Sequence, residues 1–207
     1  MCGIAGIVRA TPDPEDPRRV QAMTSALHHR GPDGQGLCSV GGATLGHRRL
    51  AILDLSERGA QPMLACEGQV ALTYNGEVYN HRALRRELEA LGQPFASESD
   101  TEVVLRGYLE WGPAVLERLN GMFALAIWDE RDQSLLLARD PFGQKPLYYS
   151  TLGGEGLAFA SELRSLELLL RERGELTLSR QAVAKYLCFD GLPLDECVYE
   201  GVKKLPP

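Results

Sequence analysis

The run Gly3-Ile4-Ala5-Gly6-Ile7-Val8 begins directly behind a cysteine at position 2 and is followed by the turn-rich Thr11-Pro12-Asp13-Pro14. Short, apolar and partly β-branched, it predicts a buried strand over residues 3–9, and a buried strand at the very start demands layers of structure around it. Cys2 adds a chemical constraint. Removal of Met1, which a small second residue permits, would leave one residue with both a thiol and a free α-amine. An α-amine titrates near pH ~8 and a thiol near ~8.5, so the amine can take the thiol's proton and return it to a leaving group. Taken alone, Cys2 reads first as a buried small residue that opens a strand, and the rest of the chain must reverse that reading.

Pro17 suits the first turn of a helix whose apolar face is Val20, Met23 and Leu27; it ends near His29, where Arg30-Gly31-Pro32-Asp33-Gly34 breaks it. Strands are predicted near 37–40, 43–48 and 69–74, with Gly41-Gly42 as a hairpin turn and Tyr74-Asn75-Gly76-Glu77 as a strand running into a tight turn. A helix follows at about 81–91, with Asn80 as N-cap and Gly92 as stop. The next begins at Ser99-Asp100-Thr101-Glu102, whose first and fourth residues fit a capping box. After a short helix carrying Val115, Leu116 and Leu119, strands recur at 121–128, 134–139, 145–150 and 156–160. Leu166, Leu168, Leu169 and Leu170 are expected to cover a sheet. Helices inserted in groups, without regular β-α-β alternation, predict an α+β fold built on antiparallel sheets. One domain is read over residues 1–200. Residues 201–207, ending Lys203-Lys204-Leu205-Pro206-Pro207, lack the capping or turn logic of a natural terminus and read as the start of a linker in a fragment of something longer.

With 207 residues, 44% hydrophobic and 24% charged, the chain has the composition of a soluble globular protein with a sizeable core. A net charge of −6, with basic residues gathered no further than short pairs such as Arg18-Arg19 and Arg85-Arg86, does not suggest nucleic acid binding. No basic n-region precedes an apolar stretch, and none approaches the roughly 20 residues that span a bilayer, so the expected location is the cytoplasm. Five cysteines, an odd number without C-x-x-C spacing, argue against a disulfide framework and a zinc site; all but Cys2 are expected to be reduced and structural. His28, His29 and His47 show no ligand spacing, and no metal is expected. Gly153-Gly154-Glu155-Gly156 reads as a simple turn.

If Cys2 attacks an amide, the resulting oxyanion needs fixed donors, worth roughly 3–4 kcal/mol each. Asn75 can donate from its side chain, and Gly76 lets a backbone N–H approach without a Cβ in the way, although Asn-Gly is also a common hairpin turn. Arg48 and Arg49 end a strand before the apolar run Leu50-Ala51-Ile52-Leu53, where a guanidinium could clamp a carboxylate. Asp100, in the first turn of its helix, could receive an ammonium. Together these groups suit an amino acid with a side-chain amide, which is glutamine.

Met1-Cys2-Gly3-Ile4-Ala5-Gly6, His29-Arg30-Gly31-Pro32-Asp33, Gly46-His47-Arg48-Arg49-Leu50-Ala51-Ile52 and Tyr74-Asn75-Gly76-Glu77-Val78-Tyr79-Asn80 resemble class II glutamine amidotransferases, which are N-terminal nucleophile hydrolases. Ser99-Asp100-Thr101-Glu102, Gly121-Met122-Phe123-Ala124, the run from Arg139 to Tyr149, and Phe159-Ala160-Ser161-Glu162 extend the resemblance to the glutaminase domain of glutamine-hydrolysing asparagine synthetases. It implies a four-layer αββα sandwich of two antiparallel sheets covered by helices. It also implies that Cys2 is the nucleophile, that Asn75 and Gly76 form the oxyanion hole, and that Arg49 and Asp100 hold the α-carboxylate and α-ammonium of glutamine. Leu50, Ala51, Ile52, Leu53 and Glu77 would line the pocket; Arg48 occupies the motif's variable position.

The implied reaction is glutamine hydrolysis, supplying ammonia for ATP-dependent amidation of aspartate. No cofactor is expected in this domain. ATP and Mg²⁺ belong to a C-terminal synthetase domain, the implied partner in cis or in trans, whose Ser-Gly-Gly-x-Asp-Ser loop is not in this sequence. A homodimer remains open. The alternatives are the glutaminase domain of an amidotransferase with another acceptor, since Arg-Asp-Pro-Phe-Gly-Gln-Lys-Pro departs from the commoner motif, and a non-catalytic module that binds an amino acid.

Overall fold

The computed structural model describes residues 1–193 and 195–207. Strand β1 (Gly3–Arg9) leads to helix α1 (Asp16–Ser25) and the hairpin of β2 (Gly34–Val40) and β3 (Ala43–Arg49). Then come β4 (Met63–Ala65), β5 (Val70–Val78), α2 (His81–Ala90), α3 (Asp100–Trp111), β6 (Gly121–Asp129) and β7 (Ser134–Arg139). The last part runs β8 (Tyr148–Thr151), β9 (Gly156–Ala160), α4 (Leu163–Glu172), α5 (Arg180–Phe189) and β10 (Val202–Lys204). One sheet has the order β10-β8-β9-β1-β3-β2, the other β4-β5-β6-β7, and the pairings in both are antiparallel.

Alternation along each strand builds the layers. On β1, Ala5 and Ile7 face Val20 and Met23 of α1 and Leu166, Leu169 and Leu170 of α4. Ile4 and Val8 point the other way, into a layer between the sheets shared with Leu45, Phe159, Ala71, Ala124, Ala126 and Trp128. On the second sheet, Leu72, Tyr74, Leu125 and Ile127 pack with Leu84 and Leu88 of α2 and Val104 and Tyr108 of α3. The order helix, sheet, sheet, helix is the expected α+β sandwich.

Several local expectations shift. Asn75-Gly76 is not a turn: β5 runs straight through it, paired with β6 from Val70↔Asp129 to Val78↔Gly121, and this ladder overrides the local turn preference. Gly41-Gly42 does turn the β2–β3 hairpin, with Gly41 at φ +51°. Asn80 does not cap α2 with its side chain, which instead donates to Arg118 O at 2.9 Å and accepts from Asn120 N at 3.0 Å. Ser99 caps α3 through the N–H of Thr101, while the Glu102 carboxylate turns back to Ala96 and Ser97. Residues 145–147 are irregular, and Cys188 is exposed on α5 where a structural residue was expected. In the segment 201–207, Val202–Lys204 pairs with β8 and Leu205 N–H donates to Leu147 O at 2.8 Å.

Gly6 shows how tightly the inner face of the first sheet is filled. Its register partner is Phe159, and a Cβ on Gly6 would stand 2.5 Å from the Phe159 ring. Gly6→Ala is therefore expected to destabilise the fold by about 1–3 kcal/mol through overpacking. A urea unfolding midpoint equal to that of the parent chain would show that the ring can move aside.

Candidate functional site

Two hydrogen bonds cross the gap between the sheets and set the site's geometry. His47 Nε2 lies 3.1 Å from Tyr74 O, and Thr73 Oγ1 donates to Gly46 O at 3.2 Å. They join the end of β3 to the middle of β5. Burial, reinforced by Arg49 and Arg48, pushes the His47 pKa from 6.5 down to about 3, so the ring is neutral and donates from Nε2 to the carbonyl. A cavity of about 220 Å³ lies beside this junction. Cys2, Arg49 to Leu53, Asn75 to Glu77 and Asp100 all line it, so the residues that the resemblance assigns to glutamine meet in one place.

The edge of β5 explains the donor groups. Beyond Leu72, β5 has no strand on the β4 side among the described residues, because β4 pairs only with Val70 to Leu72. Side chains take the edge N–H groups instead: Tyr74 N–H donates to Gln61 Oε1 at 2.7 Å and Val78 N–H to Asp100 Oδ2 at 2.9 Å. Gly76 lies midway on the same edge by the two-residue period, and its N–H has no such cap. The side chain of Asn75 points toward the first sheet. It is buried, and its Nδ2 has no hydrogen-bond partner. Two donors without a protein acceptor among the described residues thus adjoin the cavity, and for the buried Asn75 Nδ2 this costs stability unless something accepts from it. The need for glycine at 76 has another origin than expected: a Cβ would lie 2.4 Å from Met122 O on β6.

Asp100, at the start of α3, is buried and uses Oδ2 for both Val78 N–H and the Tyr74 hydroxyl, 2.9 Å away. Oδ1 makes no hydrogen bond and is left for the cavity. Arg49 is turned by the loop it begins. Nη1 donates to Ser56 O at 2.9 Å and Nη2 to Asp54 O, while Gly59 packs beneath, where a Cβ would come within 2.6 Å of Nη2. Each terminal nitrogen keeps one further N–H for a ligand. Arg48 points away, with Nε on Gly31 O at 3.0 Å and Nη1 on Gln35 Oε1 at 2.8 Å. Leu50 to Leu53 form an irregular loop along the cavity, steadied by Ala51 N–H donating to Asp33 Oδ2 at 2.9 Å. Glu77 shares a strand face with Asn75.

The Cys2 sulfur accepts from Leu50 N–H at 3.4 Å. Burial pushes the thiol pKa up, against the opposing pull of that N–H and of the nearby chain terminus. Met1 also lines the cavity, so its removal would clear space as well as free the amine.

Other groups at the site were not visible in the sequence pattern. Gln61, bridging Tyr74 N–H and Thr101 Oγ1, is a lone loop glutamine. Lys145 lines the cavity at the end of a loop gathered by Asp140, which accepts from the N–H groups of Phe123, Phe142, Gln144 and Lys145 at 3.1–3.2 Å. Burial raises the Asp140 pKa, but these bonds outweigh it and hold the carboxyl below its usual range. The Arg-Asp-Pro-Phe-Gly-Gln-Lys-Pro run carried that signal, though only as a motif.

A sequence profile described as "Glutamine amidotransferase domain" matches residues 1–207. The chain belongs to that family. It is 37% identical over 210 residues to asparagine synthetase [glutamine-hydrolyzing] 1 of Bacillus subtilis (strain 168), a match covering 100% of this chain and 32% of that protein. Asparagine synthetase [glutamine-hydrolyzing] 3 of the same organism is 42% identical over 170 residues, 80% of this chain and 27% of the relative. A putative asparagine synthetase [glutamine-hydrolyzing] of Mycobacterium tuberculosis (strain ATCC 25618 / H37Rv) is 37% identical over 222 residues, covering 99% and 34%. This amidotransferase domain therefore spans about a third of the length of the relatives it matches. Among solved structures, the glutamine phosphoribosylpyrophosphate amidotransferase of B. subtilis superposes with a TM-score of 0.69 at 24% identity over 81% of this chain and 43% of that one, a likeness of fold. The fold class expected from the resemblance is thus the one observed. Among the described residues, no helix is long and apolar enough to cross a membrane.

His47 makes the junction sensitive to acid. The unfolded chain protonates it near pH 6.5 and the native chain only near 3, so stability is complete above 6.5 and lost as pH falls through that window. Between pH 6.5 and 5 the expected loss is about 2 kcal/mol, at 1.36 kcal/mol per pH unit. Urea titrations across that range should show it, and His47→Asn should flatten the slope.

Proposed function

We propose that this chain hydrolyses glutamine to glutamate and ammonia with Cys2 as nucleophile. The observation that carries the proposal is the meeting, in one cavity, of a thiol with two unsatisfied donors, Asn75 Nδ2 and Gly76 N–H. Arg49 takes the α-carboxylate and the free Oδ1 of Asp100 the α-ammonium, so the amide end of glutamine extends toward Cys2. Leu50 to Leu53 and Glu77 wall the pocket.

Burial keeps the resting group a thiol, so its proton must leave as the sulfur attacks. After removal of Met1, the Cys2 α-amine takes that proton, and the thiolate adds to the side-chain carbonyl. Asn75 and Gly76 hold the oxyanion. The amine then protonates the departing nitrogen, ammonia leaves, and a γ-glutamyl thioester remains. Water, deprotonated by the same amine, cleaves the thioester; glutamate is released and the thiol restored. With Met1 in place, the nitrogen on Cys2 is an amide and cannot serve as base.

In the full-length protein, the ammonia would be used by a synthetase portion, in cis or in trans, to amidate aspartate at the expense of ATP and Mg²⁺ in the cytoplasm. This rests on the relatives' names and on their threefold greater length. No step assigned to this chain's residues needs ATP or a metal. The domain proper is read as residues 1–200, with residues 201–207 as the start of the linker to the synthetase portion.

An ammonia-release assay, run beside mass spectrometry of the mature N-terminus, tests the reading. Cys2→Ala should fall to background, and Asn75→Ala should lose about 10²- to 10³-fold in kcat. Arg49→Lys should mainly raise KM, because a lysine cannot reproduce the guanidinium fork. Wild-type rates in Cys2→Ala would refute the nucleophile. A permanently retained Met1 without ammonia release would favour an amino-acid-binding module.

A further inference from the structure

Ser161-Glu162 lies directly after β9 and outside the cavity lining. Ser161 extends the β1–β9 pairing: its hydroxyl accepts from Ile4 N–H at 3.0 Å, and its own N–H donates to Ile4 O at 2.8 Å. This brings Glu162 beside the start of β1. Glu162 Oε1 accepts from Arg30 Nη1 at 2.8 Å and lies 3.0 Å from His29 Nε2. Arg30 Nε in turn donates to the Cys2 carbonyl at 2.9 Å. Arg30 is buried, and among the described residues its third nitrogen, Nη2, has no partner, so there these two bonds hold the guanidinium. Burial opposes ionisation of Glu162, but Arg30 and His29 keep its carboxyl below the usual range, so it stays charged at neutral pH.

A chain-terminal residue hangs from one peptide link. Once Met1 is removed, rotation about the Cα–C bond of Cys2 would swing the amine and the side chain together. The hydrogen bond to the Cys2 carbonyl fixes the peptide plane that ends at the Cys2 Cα, and with it the axis about which the amine and side chain turn, while the Leu50 N–H contact holds the sulfur at the end of that arc. An arginine on a flexible stem can provide such a restraint only if it is itself fixed, and a charge-assisted bond to a carboxylate fixes it. We infer that Glu162 is a positioning residue, which holds Arg30 on the Cys2 carbonyl and so sets the terminal amine and thiol in register with the substrate. The inference rests on the glutaminase reading above.

The test is steady-state glutamine hydrolysis by the full-length, N-terminally processed protein carrying Glu162→Gln, Glu162→Ala, Arg30→Lys or the pair Arg30→Lys/Glu162→Ala. Misplacing reacting atoms by about 1 Å can cost about 10²-fold, so Glu162→Ala should lower kcat by about 10- to 100-fold. KM should stay within about threefold, since Glu162 is not part of the cavity. Glu162→Gln, which keeps an acceptor oxygen and the side-chain volume, should retain more activity than Glu162→Ala, and it carries the test should Glu162→Ala fail to fold. The double variant should be no slower than Arg30→Lys alone, because the carboxylate acts only through the guanidinium. Losses that multiply in the double variant, a rise in KM that accounts for the whole effect, or wild-type kcat in both Glu162 variants would overturn the role. Cys2→Ala runs alongside: if it retains hydrolysis, the glutaminase reading itself fails, an outcome distinct from any result at Glu162.

Discussion

From Thr73 to Val78, one side of β5 lacks a partner strand among the described residues, and the fold places its cavity there. Backbone N–H groups on such an edge must find acceptors or face solvent or ligand. Gln61 satisfies one and Asp100 another, while Gly76 between them is left over. Structure and the proposed binding would consequently share atoms. Asp100 spends one oxygen on the strand edge and on Tyr74, and only the other is free. Its loss would strip two buried donors of their acceptor, at about 1–3 kcal/mol each, before any ligand is considered.

The facing sheet supplies the complementary half. β1 delivers Cys2 at its head, and β3 delivers Arg49 at its end; these strands are direct neighbours, paired from Gly3↔Arg48 onward. The His47 and Thr73 bonds hold this half against Asn75 and Gly76. The inner faces carry alanine at 71, 124 and 126, so the sheets come close enough for these short cross-links to form. The buried Nδ1 of His47 goes without a partner, which sets the cost of crossing a dry layer with a polar ring.

What could be read from the sequence was local. The β1 run, the Gly41-Gly42 hairpin and the helix starts at Pro17 and Ser99 each follow from neighbouring residues. Asn75-Gly76 has the short-range pattern of a turn, but the decision lies with β6, some 50 residues away in the pairing Asn75↔Ala124. Arg48 and Arg49 are equivalent in composition, but strand alternation sends one into the packing against Gly31 and the other to the cavity. Gln61 and the pairing of Arg30 with Glu162 belong to no periodic pattern. They arise only when segments far apart in the chain meet, as 132 residues do between Arg30 and Glu162.

Burial of Cys2 has two sides. It makes the thiolate harder to form, which by itself slows attack; it also keeps the resting sulfur protonated, and oxidation proceeds through the thiolate. A base separated from such a thiol by many residues would have to be buried beside it, at the desolvation cost that any charged group bears. The proposed mechanism places the base on the same residue, which avoids a second buried side chain and makes its distance to the sulfur a matter of one rotatable bond. The burden then passes from electrostatics to conformation: with so short a link, activity depends on which way the terminal residue faces. Among the described residues, the carbonyl of Cys2 is the part anchored by a buried, charge-backed donor, and under the proposed mechanism an N-terminal extension of even one residue would replace the base with an amide.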